Sequence, residues 1–340
     1  MRSLRSARVW LAAAIAVVAT AMTALPASAA PVRETSVATV LGLDETGVYS
    51  SDQGQVSYQV HVPPGRRPGT RLPVMMAVHG CAMTGYGLNS MKSTTQFNRL
   101  ADREGFIVVY PTQSLLRNTK LCWNSLDPAH QHRGRGEPEL LAGVARNVVR
   151  DFGGDPDRVH VAGASSGAGT AVILAVTYPD VFATATSVAG GEYGFYRVDL
   201  NKPDEVTPTD NARLALAEMG PRARQVPLLV VQGDKDTTVP PVMAERLVQQ
   251  WAALDDLVPD GRIDGDVDDH ADETTRHTPP GIHPYTYRGY TDGQRTLIEY
   301  FLIEGQGHAW SGPDGFGLFT DRQGPDLAEI TWKFASNRRR

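Results

Sequence analysis

From Ser51 to Pro63 polar and apolar positions alternate, with Val56, Tyr58, Val60 and Val62 in step. A period of two predicts an antiparallel opening strand, and Pro63-Pro64-Gly65 supplies its turn. From Leu72 the alternation gives way to a short continuous apolar run that ends at His79-Gly80, the pattern of a strand buried on both faces. Similar runs recur at Phe106–Tyr110, Val159–Ala162, Val181–Val188, Val226–Gly233 and Arg295–Ile303, the last preceded by a hairpin turn at Asp292-Gly293. Helical patterns lie between them. Thr94–Gly105 places Phe97, Leu100 and Ala101 on one face, and Leu140–Phe152 does the same with Leu140, Leu141, Val144, Val148 and Val149. Ala168–Val176 reads as a helix of small and apolar residues, and Val242–Leu254 as one carrying Trp251. Strand and helix in repeated succession predict an α/β chain with a doubly wound, mostly parallel sheet and helices on both faces. Between these elements, Asn118–Glu137 is a long polar loop expected to border the site, and residues 192–225 are loop and helix, a candidate partial cap. Nine acids fall between Asp255 and Glu273, and Thr275 stands where a calcium loop needs its bidentate Glu, so a solvated acidic insertion is expected.

The ends of the chain have a different composition. Arg2, Arg5 and Arg8, the apolar run Val9–Ala21 and Ala27-Ser28-Ala29 together make a secretory signal peptide over residues 1–29, cleaved near Ala29. The run is short for a membrane span, and its unpaired arginines point to the general export route. No cysteine near the cleavage site offers a lipid anchor. Residues 30–50 are then expected as a lead-in, 51–335 as one α/β domain and 336–340 as a basic tail with a frayed end. Removing the leader takes the net charge from −5 to −8, since residues 1–30 hold three arginines and no acid. A mildly acidic mature chain without a basic cluster argues against nucleic acid or an anionic membrane as partner. A secreted, extracellular monomer is expected.

Export also governs how the two cysteines are read. Cys81 and Cys122 are an even pair in an oxidising compartment and are expected to form a disulfide. Closing a loop of about 40 residues is worth roughly 4 kcal/mol in the chain-entropy treatment. Two thiols alone make a poor metal site, and no cofactor or metal is expected.

The candidate chemistry centres on Gly163-Ala-Ser-Ser-Gly167, a Gly-x-Ser-x-Gly pattern between a buried strand and a helix of small residues. In that context it is a nucleophile elbow, with Ser165 on a sharp turn above the sheet. An acid just beyond a late strand suits a triad carboxylate. Asp236 is favoured over Asp234 in Gly233-Asp-Lys-Asp-Thr-Thr-Val239, although either could be a plain turn residue. A histidine set among glycines after the last strand, His308 in Gly305-Gln-Gly-His308, suits the general base. The order Ser165, Asp236, His308, each after a predicted strand, is that of α/β-hydrolases. The oxyanion donors would be the backbone N–H groups of Cys81, after the His79-Gly80 strand end, and of Ser166. His79 itself is read as a structural hydrogen-bonding group. Trp123 and Trp310 are candidate walls of the substrate cleft, Trp123 equally a core residue at a loop root.

Taken together, His79-Gly-Cys81, Cys122-Trp-Asn124, Gly136-Glu137, Gly163-Ala-Ser-Ser-Gly167, Gly233–Val239 and Gly307-His-Ala-Trp310 resemble the polyhydroxybutyrate-depolymerase-like esterases, a family that also contains secreted feruloyl and acetylxylan esterases. The resemblance covers roughly Ser51 to Phe334. It implies an α/β-hydrolase fold, a serine-esterase mechanism, a Cys81–Cys122 bond and triad roles for Ser165, Asp236 and His308. Ser166 departs from the Ala usual in relatives, which leaves the needed backbone N–H in place. The leading expectation is cleavage of polyhydroxyalkanoate polyester or its oligomers, with feruloyl or acetylxylan ester hydrolysis as the alternative. An acyltransferase and a non-catalytic binding protein are the readings outside ester hydrolysis.

Overall fold

The computed structural model of the protein describes residues 42–67 and 69–340. The signal peptide expected over residues 1–29 lies outside them. Ten strands make one sheet: β1 (Leu43–Ser51), β2 (Gly54–Val62), β3 (Leu72–Val78), β4 (Ile107–Thr112), β5 (Gly154–Ala164), β6 (Thr184–Val188), β7 (Leu228–Gly233), β8 (Glu273–His277), β9 (Tyr285–Thr291) and β10 (Thr296–Ile303). Their order across the sheet is β1-β2-β4-β3-β5-β6-β7-β10-β9-β8. The six central strands, β4 to β10 in that order, run parallel. Antiparallel β2 and β1 extend one edge, and antiparallel β9 and β8 the other. This is the doubly wound, mostly parallel sheet expected from the apolar runs, in the α/β-hydrolase form that the family resemblance implied.

The helices are α1 (Met91–Thr95), α2 (Phe97–Glu104), α3 (Gly136–Phe152), α4 (Ser166–Thr177), α5 (Pro208–Met219), α6 (Pro241–Asp260) and α7 (Leu327–Ser336). The continuous apolar runs are explained by two cores, one on each face of the sheet. On β3, Val74, Met76 and Val78 pack with residues of α3, α4 and α6, while Met75 and Ala77 pack with Met91, Phe97, Leu100 and Trp332 on α1, α2 and α7. β3 therefore has apolar neighbours on both faces, and no polar alternation survives in it.

Five expectations change. The lead-in contributes β1, which pairs with β2 from Leu43↔Val62 to Ser51↔Gly54, so the domain begins before residue 51. Most of β1 is exposed, and its residues carry no hydrophobic period to announce it. The helix expected over Thr94–Gly105 is two helices. Gln96 breaks it in a left-handed conformation (φ 56°), its side-chain amide donating to Ser93 O, while Phe97, Leu100 and Ala101 stay buried as expected. The helix of 192–225, α5, joins the helical layer against α4 and α6 and does not form a cap. The acidic stretch is not wholly solvated, because Asp255 and Asp256 are buried on α6. Asp256 accepts the backbone N–H groups of Asp264, Gly265 and Val267. Burial, the largest influence, outweighs the opposing charges of Arg224 and Arg295 and drives the Asp255 carboxyl well above the usual carboxylate range. Finally, the basic tail is pinned. Arg338 bonds Thr296 O and Glu299, and Arg340 bonds Asp157 through both backbone N–H and guanidinium. Its arginines found acids on neighbouring elements that are distant in sequence.

Helix α7 closes the second core by laying Trp332 on Phe106, with stacked rings 3.9 Å apart between centroids. Replacing Trp332 with Ala is expected to remove about 3 kcal/mol of stability, as for large-to-small changes of buried aromatics. Urea denaturation should show a lower midpoint with an unchanged slope. A midpoint equal to wild type would mean that α7 adds nothing to this core.

Candidate active site

Strand β5 runs into α4 through the Gly163–Gly167 turn, and Ser165 is forced into φ 56°, ψ −120°. That conformation is unfavourable for a residue with a side chain, by roughly 1–3 kcal/mol, and persists only if its surroundings impose it. They do. The Ser165 N–H donates to Val188 O at 2.9 Å, and its C=O accepts from Ala168 N at 2.9 Å. A Cβ on Gly163 would lie 2.0 Å from Gly167 O, and one on Gly167 would lie 2.3 Å from Val78 O. The glycines thus let α4 approach β3 and β5 closely, and Ser165 sits at the positive end of α4.

The expected acid and base are brought together from 72 residues apart. Asp236 Oδ2 meets His308 Nδ1 at 2.7 Å, with the Asp236 side chain fully buried and that of His308 17% exposed. Asp236 Oδ1 accepts from Thr238 N (2.9 Å) and Val239 N (2.8 Å), and Gln232 Nε2 donates to Oδ2 at 3.3 Å. An oxygen so oriented accepts from Nδ1–H and leaves Nε2 as the unprotonated nitrogen of the neutral ring. His308 and Ser165 line one cavity. The rival Asp234 does other work. It accepts Gly305 N at 2.6 Å and so braces the loop that presents His308. That bracing role was not legible in the sequence, since Asp234 and Asp236 are equivalent turn acids until the loop opposite is in place.

Cys81 and Cys122 are joined by a disulfide, with Cα atoms 4.1 Å apart. Beside it, His79 is completely buried and both ring nitrogens are occupied. Gln113 N donates to Nε2 at 3.0 Å, so Nδ1 carries the proton and donates to Gly80 O at 2.7 Å. His79 holds the loop that carries the Cys81 amide, the structural part expected for it. The second expected oxyanion donor, Ser166, begins α4, and its Oγ accepts Trp123 N at 3.3 Å. Two lobes of the cleft meet at Ser165. One, about 230 Å³, is lined by Met83, Val188, His308, Trp310 and Phe319. The other, about 440 Å³, is lined by Trp123, Asn124, Leu126, Glu192, Phe195 and Met243. Trp123 and Trp310 are therefore both cleft walls and nearly buried residues, 3% and 2% exposed. Trp310 packs edge-on against Phe97. Among the described residues no group of three or more His, Cys, Asp or Glu is placed to hold a metal.

Burial lowers the His79 pKa to about 4, outweighing the bond to Gly80. Between that value and about 6.5 the unfolded histidine binds a proton that the native one does not, so stability rises with pH across this window and is lost on acidification. The His79 share is about 3 kcal/mol from one end of the window to the other. Urea midpoints measured at pH 5 and pH 7 should differ more for wild type than for His79→Asn. Equal pH dependence in the two would show that His79 is not the group responsible.

Comparison with known proteins places this geometry in a family. The sequence matches the family described as Esterase PHB depolymerase over residues 56–278. It is 26% identical over 293 residues to poly(3-hydroxyalkanoate) depolymerase C of Paucimonas lemoignei, covering 83% of this chain and 65% of the relative. It is 28% identical over 194 residues to acetylxylan esterase A of Aspergillus ficuum, covering 53% of this chain and 62% of the relative. The chain thus spans less than two thirds of the length of either relative. Among solved structures, the acetyl xylan esterase from Aspergillus awamori shares the fold, with a TM-score of 0.63 at 23% identity over 78% of this chain and 94% of that one. With the family match spanning most of the sheet and the elbow, the chain belongs to the Esterase PHB depolymerase family.

Proposed function

We propose that the protein is an exported serine carboxylic-ester hydrolase acting through an acyl-enzyme on polyhydroxyalkanoate-type polyester or its oligomers. The observation that carries the mechanism is the convergence, in one cleft, of a strained Ser165 with the His308–Asp236 pair. His308 Nε2 takes the Ser165 proton as Oγ attacks the ester carbonyl, and Asp236 holds the ring tautomer and stabilises the imidazolium. The tetrahedral oxyanion lies against the N–H groups of Cys81 and Ser166. Collapse expels the alcohol, which receives the proton from His308, and leaves the acyl group on Ser165. Water, activated by the same histidine, then releases the acid. The polyester reading is supported by the apolar smaller lobe and by the depolymerase relative, whose match covers most of this chain.

Hydrolysis of acetyl or feruloyl esters on plant polysaccharide is the second reading. Ser125 and Asp127 give the larger lobe groups able to bond sugar hydroxyls, and the Aspergillus relative carries the acetylxylan esterase name.

Ser165→Ala is expected to give a folded protein with negligible esterase turnover, and retained turnover would overturn the serine mechanism. Asp236→Asn should lower kcat by about 10⁴-fold, the scale set by loss of the triad acid. Asp234→Asn should lose only a few-fold, because it braces the His308 loop from outside the triad. A reversal of those two sizes would reassign the acid.

Wild type and Ser165→Ala should be assayed in parallel on amorphous poly(3-hydroxybutyrate) and on acetylated xylan with methyl ferulate. Serine-dependent release of hydroxybutyrate with little wall-ester turnover is the expected outcome. The opposite pattern would select the polysaccharide reading. Ester products formed with added alcohols in preference to acids would select acyl transfer.

A further inference from the structure

Glu137, in the first turn of α3, is 1% exposed, and both of its carboxylate oxygens are acceptors for neutral donors. Asn124 N donates to Oε2 at 2.7 Å, and Asn124 Nδ2 donates to Oε1 at 2.6 Å. Gln113 Nε2 also donates to Oε1. His130 Nδ1 lies 3.7 Å from Oε2, but that nitrogen accepts the Glu137 backbone N–H at 3.0 Å and so brings no proton to the carboxylate. No lysine or arginine bonds it among the described residues. A buried carboxylate held only by N–H dipoles is costly to desolvate, so its placement calls for a reason beyond filling space.

The donors show where that reason lies. Gln113 Nε2 bonds Cys122 O at 3.0 Å, and Gln113 N bonds His79 Nε2, whose ring in turn bonds Gly80 O. Cys122 is covalently tied to Cys81. Trp123, between Cys122 and Asn124, donates its N–H to Ser166 Oγ. Two routes from one carboxylate therefore reach Cys81, through Gln113 to the His79-Gly80 turn and through Cys122 to the disulfide. A third reaches Ser166 through Trp123.

We infer that Glu137 is a positioning residue that sets both oxyanion N–H groups, those of Cys81 and Ser166, by clamping Gln113 and the Cys122–Asn124 segment. The inference rests on the serine-esterase reading of Ser165. Glu137 lines neither lobe of the cleft. Its carboxylate supplies acceptors at two oxygens, which no neutral side chain of its size provides, and so holds two separate loops in one register. Each oxyanion donor is effective only within a few tenths of an ångström of the developing oxygen, so a loosened clamp weakens the transition state and leaves ground-state binding alone.

Glu137→Gln keeps the size of the side chain but turns one acceptor into a donor facing Asn124 or Gln113. A serine-directed phosphonate counts active sites in wild type and variant, and kcat and KM per labelled site are then measured with p-nitrophenyl butyrate. In parallel, the inhibition constant of a trifluoromethyl ketone, which forms a tetrahedral oxyanion on the serine, is determined.

The expected result is a fall in kcat of roughly 10- to 100-fold, part of the loss seen when an oxyanion donor is removed outright. KM should stay within about twofold and ketone affinity should fall in proportion to kcat. A purely structural role would lower the thermal midpoint or the number of labelled sites while leaving kcat per site and ketone affinity unchanged, and that result would overturn the inference. Should Glu137→Gln fail to fold, Asn124→Ala removes one donor and leaves the carboxylate. A few-fold fall in kcat matched by the ketone would support the clamp, and no change would overturn it. Failure of the phosphonate to label wild-type Ser165 would instead sink the serine-esterase reading on which the clamp depends, a result distinct from a labelled enzyme indifferent to Glu137.

Discussion

The structure depends on the strained turn at Ser165. A side chain at φ 56°, ψ −120° is held there by the junction of β5 with α4, by the bond from Ser165 N to Val188 O, and by two glycines with no room for a Cβ. The strain concentrates nearby. Ala82 (φ 57°) and Ala189 (φ 54°) also lie in the left-handed region and line the same lobe of the cleft. Each is held by a backbone bond, Ala82 N to Lys120 O and Ala189 N to Val231 O. Unfavourable backbone at three neighbouring points is affordable only because a sheet with an apolar core on each face fixes the loops that carry them.

Around this turn the remaining parts are set by hydrogen bonds between loops. Asp236 is oriented by backbone N–H groups of its own turn, His308 is presented by a loop that Asp234 braces, and the Cys81 loop is tied down by His79 and the disulfide. His79 and Asp236 are buried with both ring nitrogens and both carboxylate oxygens partnered, which gives them a single arrangement. Buried atoms without a partner include Trp123 Nε1 and Glu192 Oε2 in the cleft walls and Gln232 Oε1 and Gln306 Oε1 beside the Asp236 and His308 loops.

Much of the architecture was legible because burial writes itself into a central strand. β3, β7 and the C-terminal half of β5 are mostly apolar, and their ends lead to the Cys81 loop, Asp236 and Ser165. The edges were less legible. β1 is largely exposed and carries no period, and the α1–α2 break at Gln96 rests on a single left-handed residue that propensity does not mark. The arginines of the tail looked unattached because their acids, Asp155, Asp157 and Glu299, are remote in sequence.

The amino-acid sequence by itself determined the strand–helix succession, the Gly-x-Ser-x-Gly turn, the order of candidate serine, acid and base, and the pair of cysteines. Each is a local pattern or a spacing, and local sterics and hydrophobic period suffice to express it. Tertiary structure alone decided which of two turn acids faces the histidine and which braces its loop. It also decided that His79 is a neutral ring with both nitrogens occupied, and that Glu137 gathers Gln113 and Asn124. These depend on which groups meet across the ends of different strands. A buried polar atom takes its role from the partner it finds there, and sequence distance carries no record of that partner.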